Sequence, residues 1–77
     1  MKRTLVDARK LRCPLPLLKL KQALAQIEVG DEVGITATDA GSWRDIPAFV
    51  ELTNHLLIEQ QSKNDEFWFV VRKGDSD

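Results

Sequence analysis

Leu11-Arg12-Cys13-Pro14-Leu15-Pro16 opens a leucine-rich run and holds the only cysteine of this 77-residue chain. Proline is tolerated in the first turn of a helix, where its missing N–H would have no intrahelical partner. Pro14 and Pro16 therefore predict a helix N-terminus, with the helix running from about Pro14 to Ile27. Leu17, Leu20, Leu24 and Ile27 step by three, four and three, the spacing of one buried stripe. Cys13 falls at the N-cap or one residue from it, four positions ahead of Leu17 and so at the top of that stripe. Unpaired backbone N–H groups and the helix dipole there lower a thiol pKa, whereas an apolar rim raises it. The sequence leaves the sign of the shift open.

Outward from that helix, Arg3 to Asp7 reads as a short strand, and Gly30 supplies a stop before Asp31. From Glu32 to Thr38, Val33, Ile35 and Ala37 alternate with Gly34, Thr36 and Thr38, the period of a strand with one face in a core. Strand, helix, strand in under forty residues predicts a parallel pair joined by a right-handed crossover. Asp39-Ala40-Gly41-Ser42 is a turn, and Ser42-Trp43-Arg44-Asp45 has a loose capping-box pattern ahead of a second helix. Pro47 belongs in its first turn or kinks it. Ile46, Phe49, Val50, Thr53 and Leu57 have helical spacing toward the core, and His55 falls near the helix end as a structural residue. Leu56 to Gln61 and Phe67 to Lys73 predict a hairpin around residues 62–66. Phe67, Phe69 and Val71 share one of its faces, Trp68 and Val70 the other, and an open face would make Trp68 a docking residue. Residues 74–77 read as a frayed tail of the single domain 1–77.

Composition sets the limits. A hydrophobic fraction of 43% and a charged fraction of 30% describe a soluble globular chain, with room at this length for one core. Its apolar runs are too short for a membrane span and the N-terminus lacks the apolar run of a secretory signal, so the cytoplasm is the expected compartment. One cysteine forms no internal disulfide, and one cysteine with one histidine makes no conventional self-contained zinc site. The formal charge of −1 hides an asymmetry. Met1 to Lys21 carries seven cations against Asp7, and the remainder four cations against eleven acids. A basic segment of this kind stabilises a thiolate, steers an acidic partner, or is merely solvated; the low overall pI and the lack of interleaved aromatics argue against direct nucleic-acid binding.

The order β-α-β-α-β-β with a Cys-Pro-x-Pro helix start resembles the TusA/SirA-like family of small sulfur carriers. Asp7 with Leu11 to Pro16, Asp39 with Arg44-Asp45-Ile46-Pro47-Ala48-Phe49, and the hairpin ending at Arg72-Lys73-Gly74 carry the likeness. The resemblance implies an α/β (α+β) two-layer sandwich, a four-stranded mixed sheet with two helices on one face. It implies also that Cys13 is the catalytic residue, taking sulfane sulfur as a persulfide from a donor such as a cysteine desulfurase or rhodanese and passing it to an acceptor protein. The pathway, whether tRNA thiolation, molybdenum-cofactor supply or sulfur oxidation, stays open. The only prosthetic element expected is the covalent persulfide sulfur, without other cofactor or metal, and a monomer is the expected state. Family members commonly carry glycine where this chain has Lys10, and an Asp-Asp-Pro turn where it has Thr38-Asp39-Ala40.

Around the cysteine, Arg9, Lys10 and Arg12 are candidates for stabilising the anion and meeting partners, and Pro14 and Pro16 for setting the helix start. Arg44 and Asp45 are candidates for orienting the cysteine loop, although for Asp45 a helix cap is the preferred reading. Two other functions compete: a non-catalytic module binding protein or RNA through the basic patch and open sheet face, and a redox sensor, which the absence of a resolving cysteine disfavours.

Overall fold

The structure, a computed structural model, describes residues 2–75. Six elements follow one another: β1 (Arg3–Ala8), α1 (Leu15–Ala25), β2 (Glu32–Ala37), α2 (Ser42–Glu51), β3 (Leu56–Lys63) and β4 (Glu66–Arg72). The strands form one mixed sheet in the order β1-β2-β4-β3. β1 and β2 are parallel, with Leu5 opposite Gly34 and Val6 opposite Ile35, while β4 runs antiparallel to β2 and β3. Both helices pack on one face of this sheet, giving the expected two-layer sandwich.

The period-two pattern places Val33 and Ile35 of β2 beside Phe69 and Val71 of β4 on the helix-covered face. They meet Leu20 and Leu24 of α1 and Ile46 and Val50 of α2 in one buried cluster. Burying each large apolar side chain contributes about 1.5–3 kcal/mol, so this cluster is the main stabilising mass of the domain. Leu17 and Ile27 are only partly buried against it, and Pro16 is fully buried. Pro16 thus packs as well as starting a helix.

The element ends differ from the expected ones. α1 stops at Ala25, and the Gln26 N–H closes a tight turn on the Ala23 oxygen. Gly30, with φ +96°, lies beyond the helix, where its N–H donates to the Lys73 oxygen at 2.9 Å and leads into β2. α2 ends at Glu51, so Thr53 and Leu57 are not on it. The Thr53 hydroxyl donates to the Val50 oxygen at 2.7 Å, taking up a terminal carbonyl that further helix would have used. Leu57 belongs to β3. The hairpin is tighter than expected: Lys63 pairs with Glu66, leaving a two-residue turn, and Asn64 and Asp65 have φ of 54° and 63°. Positive φ at both central residues is the type I′ geometry that matches strand twist.

Pro47 lies inside α2 rather than in its first turn. It has no N–H to give the oxygen four residues back, on Trp43. Gln60 of β3 fills the vacancy, its Nε2 donating to that oxygen at 3.0 Å.

Trp68 and Leu5 lie on the face away from the helices, which no further element among the described residues covers. A side chain at Gly34 would collide with the Trp68 ring and crowd Leu5, so the glycine is what lets the indole lie against the sheet. The indole Nε1–H donates to Glu59 at 3.2 Å, and Trp68 is partly rather than fully exposed. At the far end of that face, Glu32 accepts from Arg3 at 2.8 Å through one oxygen and from Arg72 at 2.9 Å through the other, joining β1, β2 and β4.

His55 follows α2 in a short connection. Its Nδ1 accepts from the Gly74 N–H at 3.0 Å, and Asn54 Nδ2 donates to the Asp75 oxygen at 2.9 Å. Burial, with the nearby Lys73 charge, lowers the His55 pKa, in keeping with an imidazole nitrogen that acts as an acceptor. The tail expected to fray is therefore tied down at Gly74 and Asp75, while residues 76 and 77 lie outside the described residues.

Candidate functional site around Cys13

The loop from β1 to α1 is fixed at both shoulders. Asp7 accepts from the Arg9 N–H at 3.0 Å and from Arg9 Nε at 2.9 Å. Lys10 adopts φ 68°, the left-handed conformation that glycine takes without strain, and its N–H donates to the Thr38 hydroxyl at 2.8 Å. A lysine thus bears a backbone conformation that favours glycine. The Cys13–Pro14 peptide is cis, and Pro14 is the N-cap of α1, with no side-chain cap. Cys13 is one residue before that cap.

Cys13 is a free, exposed thiol. It does not continue the buried stripe of Leu20 and Leu24. The Sγ–H donates to Asp45 Oδ2 at 2.9 Å. Asp45 lies in the first turn of α2, whose N-cap is Gly41 without any side-chain hydrogen bond. The capping role preferred for Asp45 is therefore absent: with Ser42 already helical and buried, the Ser-x-x-Asp pattern is out of register with the true cap, and the carboxylate turns to the cysteine.

The groups around the sulfur act mainly against its charged form. The Cys13 pKa is raised, chiefly by the hydrogen bond to Asp45, then by desolvation and by the negative charges of Asp45 and Asp39; only Arg44 pulls it down. Arg9, Lys10 and Arg12 are absent from the charges acting on it. Arg9 is engaged elsewhere, paired with Asp7 and reaching Glu66 at 3.9 Å. The same pairing holds the Asp7 carboxyl down to about 2. Lys10 and Arg12 stand exposed beside the thiol loop as free-standing surface charge.

Of the residues singled out in the sequence, the structure brings Cys13, Pro14, Arg44 and Asp45 together, puts Pro16 in the core, and leaves Arg9, Lys10 and Arg12 on the rim. It adds Asp39, Gly41 and Thr38. A side chain at Gly41 would press on Asp39 Oδ2 and touch Cys13 Cβ and Asp45 Oδ2, so the backbone there forms a wall of the site. The glycine in the turn was the visible signal for that close approach. Among the described residues no group of three His, Cys, Asp or Glu side chains is arranged to hold a metal ion, and no helix is long and apolar enough to cross a membrane.

The family model for sulfurtransferase TusA matches residues 4–73. The chain belongs to the TusA sulfurtransferase family. It is 37% identical over 68 residues to the sulfur carrier protein TusA of Allochromatium vinosum, spanning 88% of this chain and 90% of that one. A protein of Neisseria meningitidis serogroup A, provisionally named a sulfur carrier, is 40% identical over 67 residues, 87% of this chain and 90% of its own length. In fold, the chain is similar to the crystal structure of a SirA-like protein from Desulfitobacterium hafniense, with a TM-score of 0.72 at 23% identity, covering 94% of this chain and 99% of that one. The family places this chain among sulfur carriers, which implies a donor and an acceptor in general terms.

Proposed function

We propose that the protein carries sulfane sulfur as a persulfide on Cys13, between a donor protein such as a cysteine desulfurase or rhodanese and an acceptor protein, in the cytoplasm and as a monomer. The observation that carries this reading is the exposed free thiol at the start of α1 in a chain of the TusA family. In loading, the Cys13 proton leaves to solvent and the thiolate attacks the outer sulfur of the donor persulfide. A new S–S bond forms on Cys13, the donor S–S bond breaks, and the donor cysteine departs as a thiolate. Delivery is the same exchange with the roles reversed. The chemistry asks for no cofactor in this chain beyond the transferred sulfur. tRNA thiolation is one pathway that such a relay serves; Arg9, Lys10 and Arg12 on the rim, with Arg44 beside the thiol, supply charge for recognising partners.

Incubation with a cysteine desulfurase, cysteine and pyridoxal phosphate is expected to add reducible sulfur to the intact protein by mass spectrometry. Cys13→Ser is expected to remain folded and to take up none. Equal labelling of Cys13→Ser would refute the reading, and full biological activity of that variant would favour a binding module instead.

A further inference from the structure

Asp45 lies in the first turn of α2, where its charge complements the helix dipole, but its carboxylate is directed to the cysteine. It caps no helix and makes no ion pair among the described residues, and it accepts a hydrogen bond from the Cys13 sulfur. A carboxylate oxygen 2.9 Å from a sulfur accommodates one proton between the two groups but not two full negative charges. The charges facing the pair come from every element around it. Asp39, on the turn after β2, adds to the negative side, and Arg44, preceding Asp45 on α2, opposes it. Lys10 and Arg12, on the loop that carries Cys13, are not among the charges that act on the sulfur.

We propose that Asp45 is a positioning residue that holds Cys13 as an orientated thiol in the unloaded carrier and keeps the thiolate scarce until the sulfur meets its donor. This inference rests on the persulfide reading for its purpose but not for its physics. An exposed cysteine at a helix start is otherwise open to any passing electrophile or oxidant. The Asp45 contact holds the sulfur in one direction while denying it charge. Loading alters the balance, because the terminal sulfur of a persulfide stands about 2 Å beyond Sγ. In the loaded form Sγ is bonded to sulfur and has no proton to give Asp45, so this hydrogen bond is lost and the charge sits on the terminal sulfur, farther along the side chain. The empty carrier is thereby the quiet form and the loaded one the reactive form.

The test is the pH dependence of Cys13 alkylation by iodoacetamide in the intact protein, comparing wild type with Asp45→Asn and Asp45→Glu. Asp45→Asn keeps a hydrogen-bond acceptor but removes the charge. Its inflection is expected to move to lower pH, with the rate at pH 7 rising about threefold for each pH unit of that movement, since the larger thiolate fraction is partly offset by lower nucleophilicity. Asp45→Glu retains the charge and is expected to stay near wild type. Circular dichroism checks that each variant is folded; should Asp45→Asn unfold, Asp45→Ser takes its place. An unchanged or upward-moving inflection in the folded neutral variant overturns the proposal. Failure of wild type to accept sulfur from a desulfurase would overturn the carrier reading while leaving this result standing.

Discussion

The Gln60 side-chain amide donates to the main-chain oxygen of Trp43 at 3.0 Å, bridging β3 and α2 where Pro47 has removed a helical donor. The Arg44-Asp45-Ile46-Pro47 segment thus brings its own vacancy into the helix that carries Asp45, and a neighbouring strand closes it. Replacement by leucine, which keeps the bulk and loses the donor, is expected to cost about 1 kcal/mol. For a domain of this size that corresponds to a melting temperature lower by about 4–8 °C, read by thermal circular dichroism. An unaltered melting temperature would mean that water serves the Trp43 oxygen equally well.

Lys10 bears a left-handed backbone at φ 68°. That conformation costs a non-glycine residue about 1–2 kcal/mol, and the greater freedom of glycine in the unfolded chain returns about 0.5–1 kcal/mol of any gain. Lys10→Gly is therefore expected to stabilise the fold by about 0.5–1 kcal/mol, seen as a higher urea midpoint with unchanged slope. A lower midpoint would show that the lysine side chain contributes more than its backbone strain costs.

Glu32 has its pKa lowered, first by Arg3 and then by Arg72. A depressed folded-state pKa gives stability that is fully present above the unfolded value of about 4.3 and is lost as pH falls through the folded one. Asp7, held at about 2 by Arg9, acts with the same sign. Thermal melts are expected to be level above about pH 5 and to drop steadily below about pH 4. Glu32→Gln should melt lower than wild type at pH 7 and lose less on acidification. A parallel acid loss in the two proteins would remove Glu32 from the account.

The parts of the fold legible in the sequence were those written in local periods. The Pro14/Pro16 start, the Val33/Ile35/Ala37 alternation and the Phe69/Val71 face all depend on a residue and its near neighbours, and each led to the observed element. What escaped depended on partners distant in the chain. Helix α2 ends where Thr53 takes up a carbonyl, although Leu57 continues the helical spacing into β3. Asp45 stands at the right distance from Ser42 to imitate a capping box, and only the packing of α2 beside the start of α1 reveals its true neighbour. The basic N-terminal charge was visible, but its direction was not: Asp7 diverts Arg9 from the thiol, and the carboxylates of Asp39 and Asp45 reach it instead. Resemblance to the carrier family supplied the candidate nucleophile, while its electrostatic setting required the three-dimensional arrangement.

Cys13 and Asp45 are 32 positions apart, one just ahead of α1 and the other in the first turn of α2, so their contact lasts only while both helices keep their seats on the sheet. A molecule in which either helix start has come loose presents an ordinary thiol. The reactivity of this one sulfur is accordingly a gauge of the chain's integrity. Heat, denaturant or a damaging substitution elsewhere would announce itself as faster alkylation before any global transition is visible.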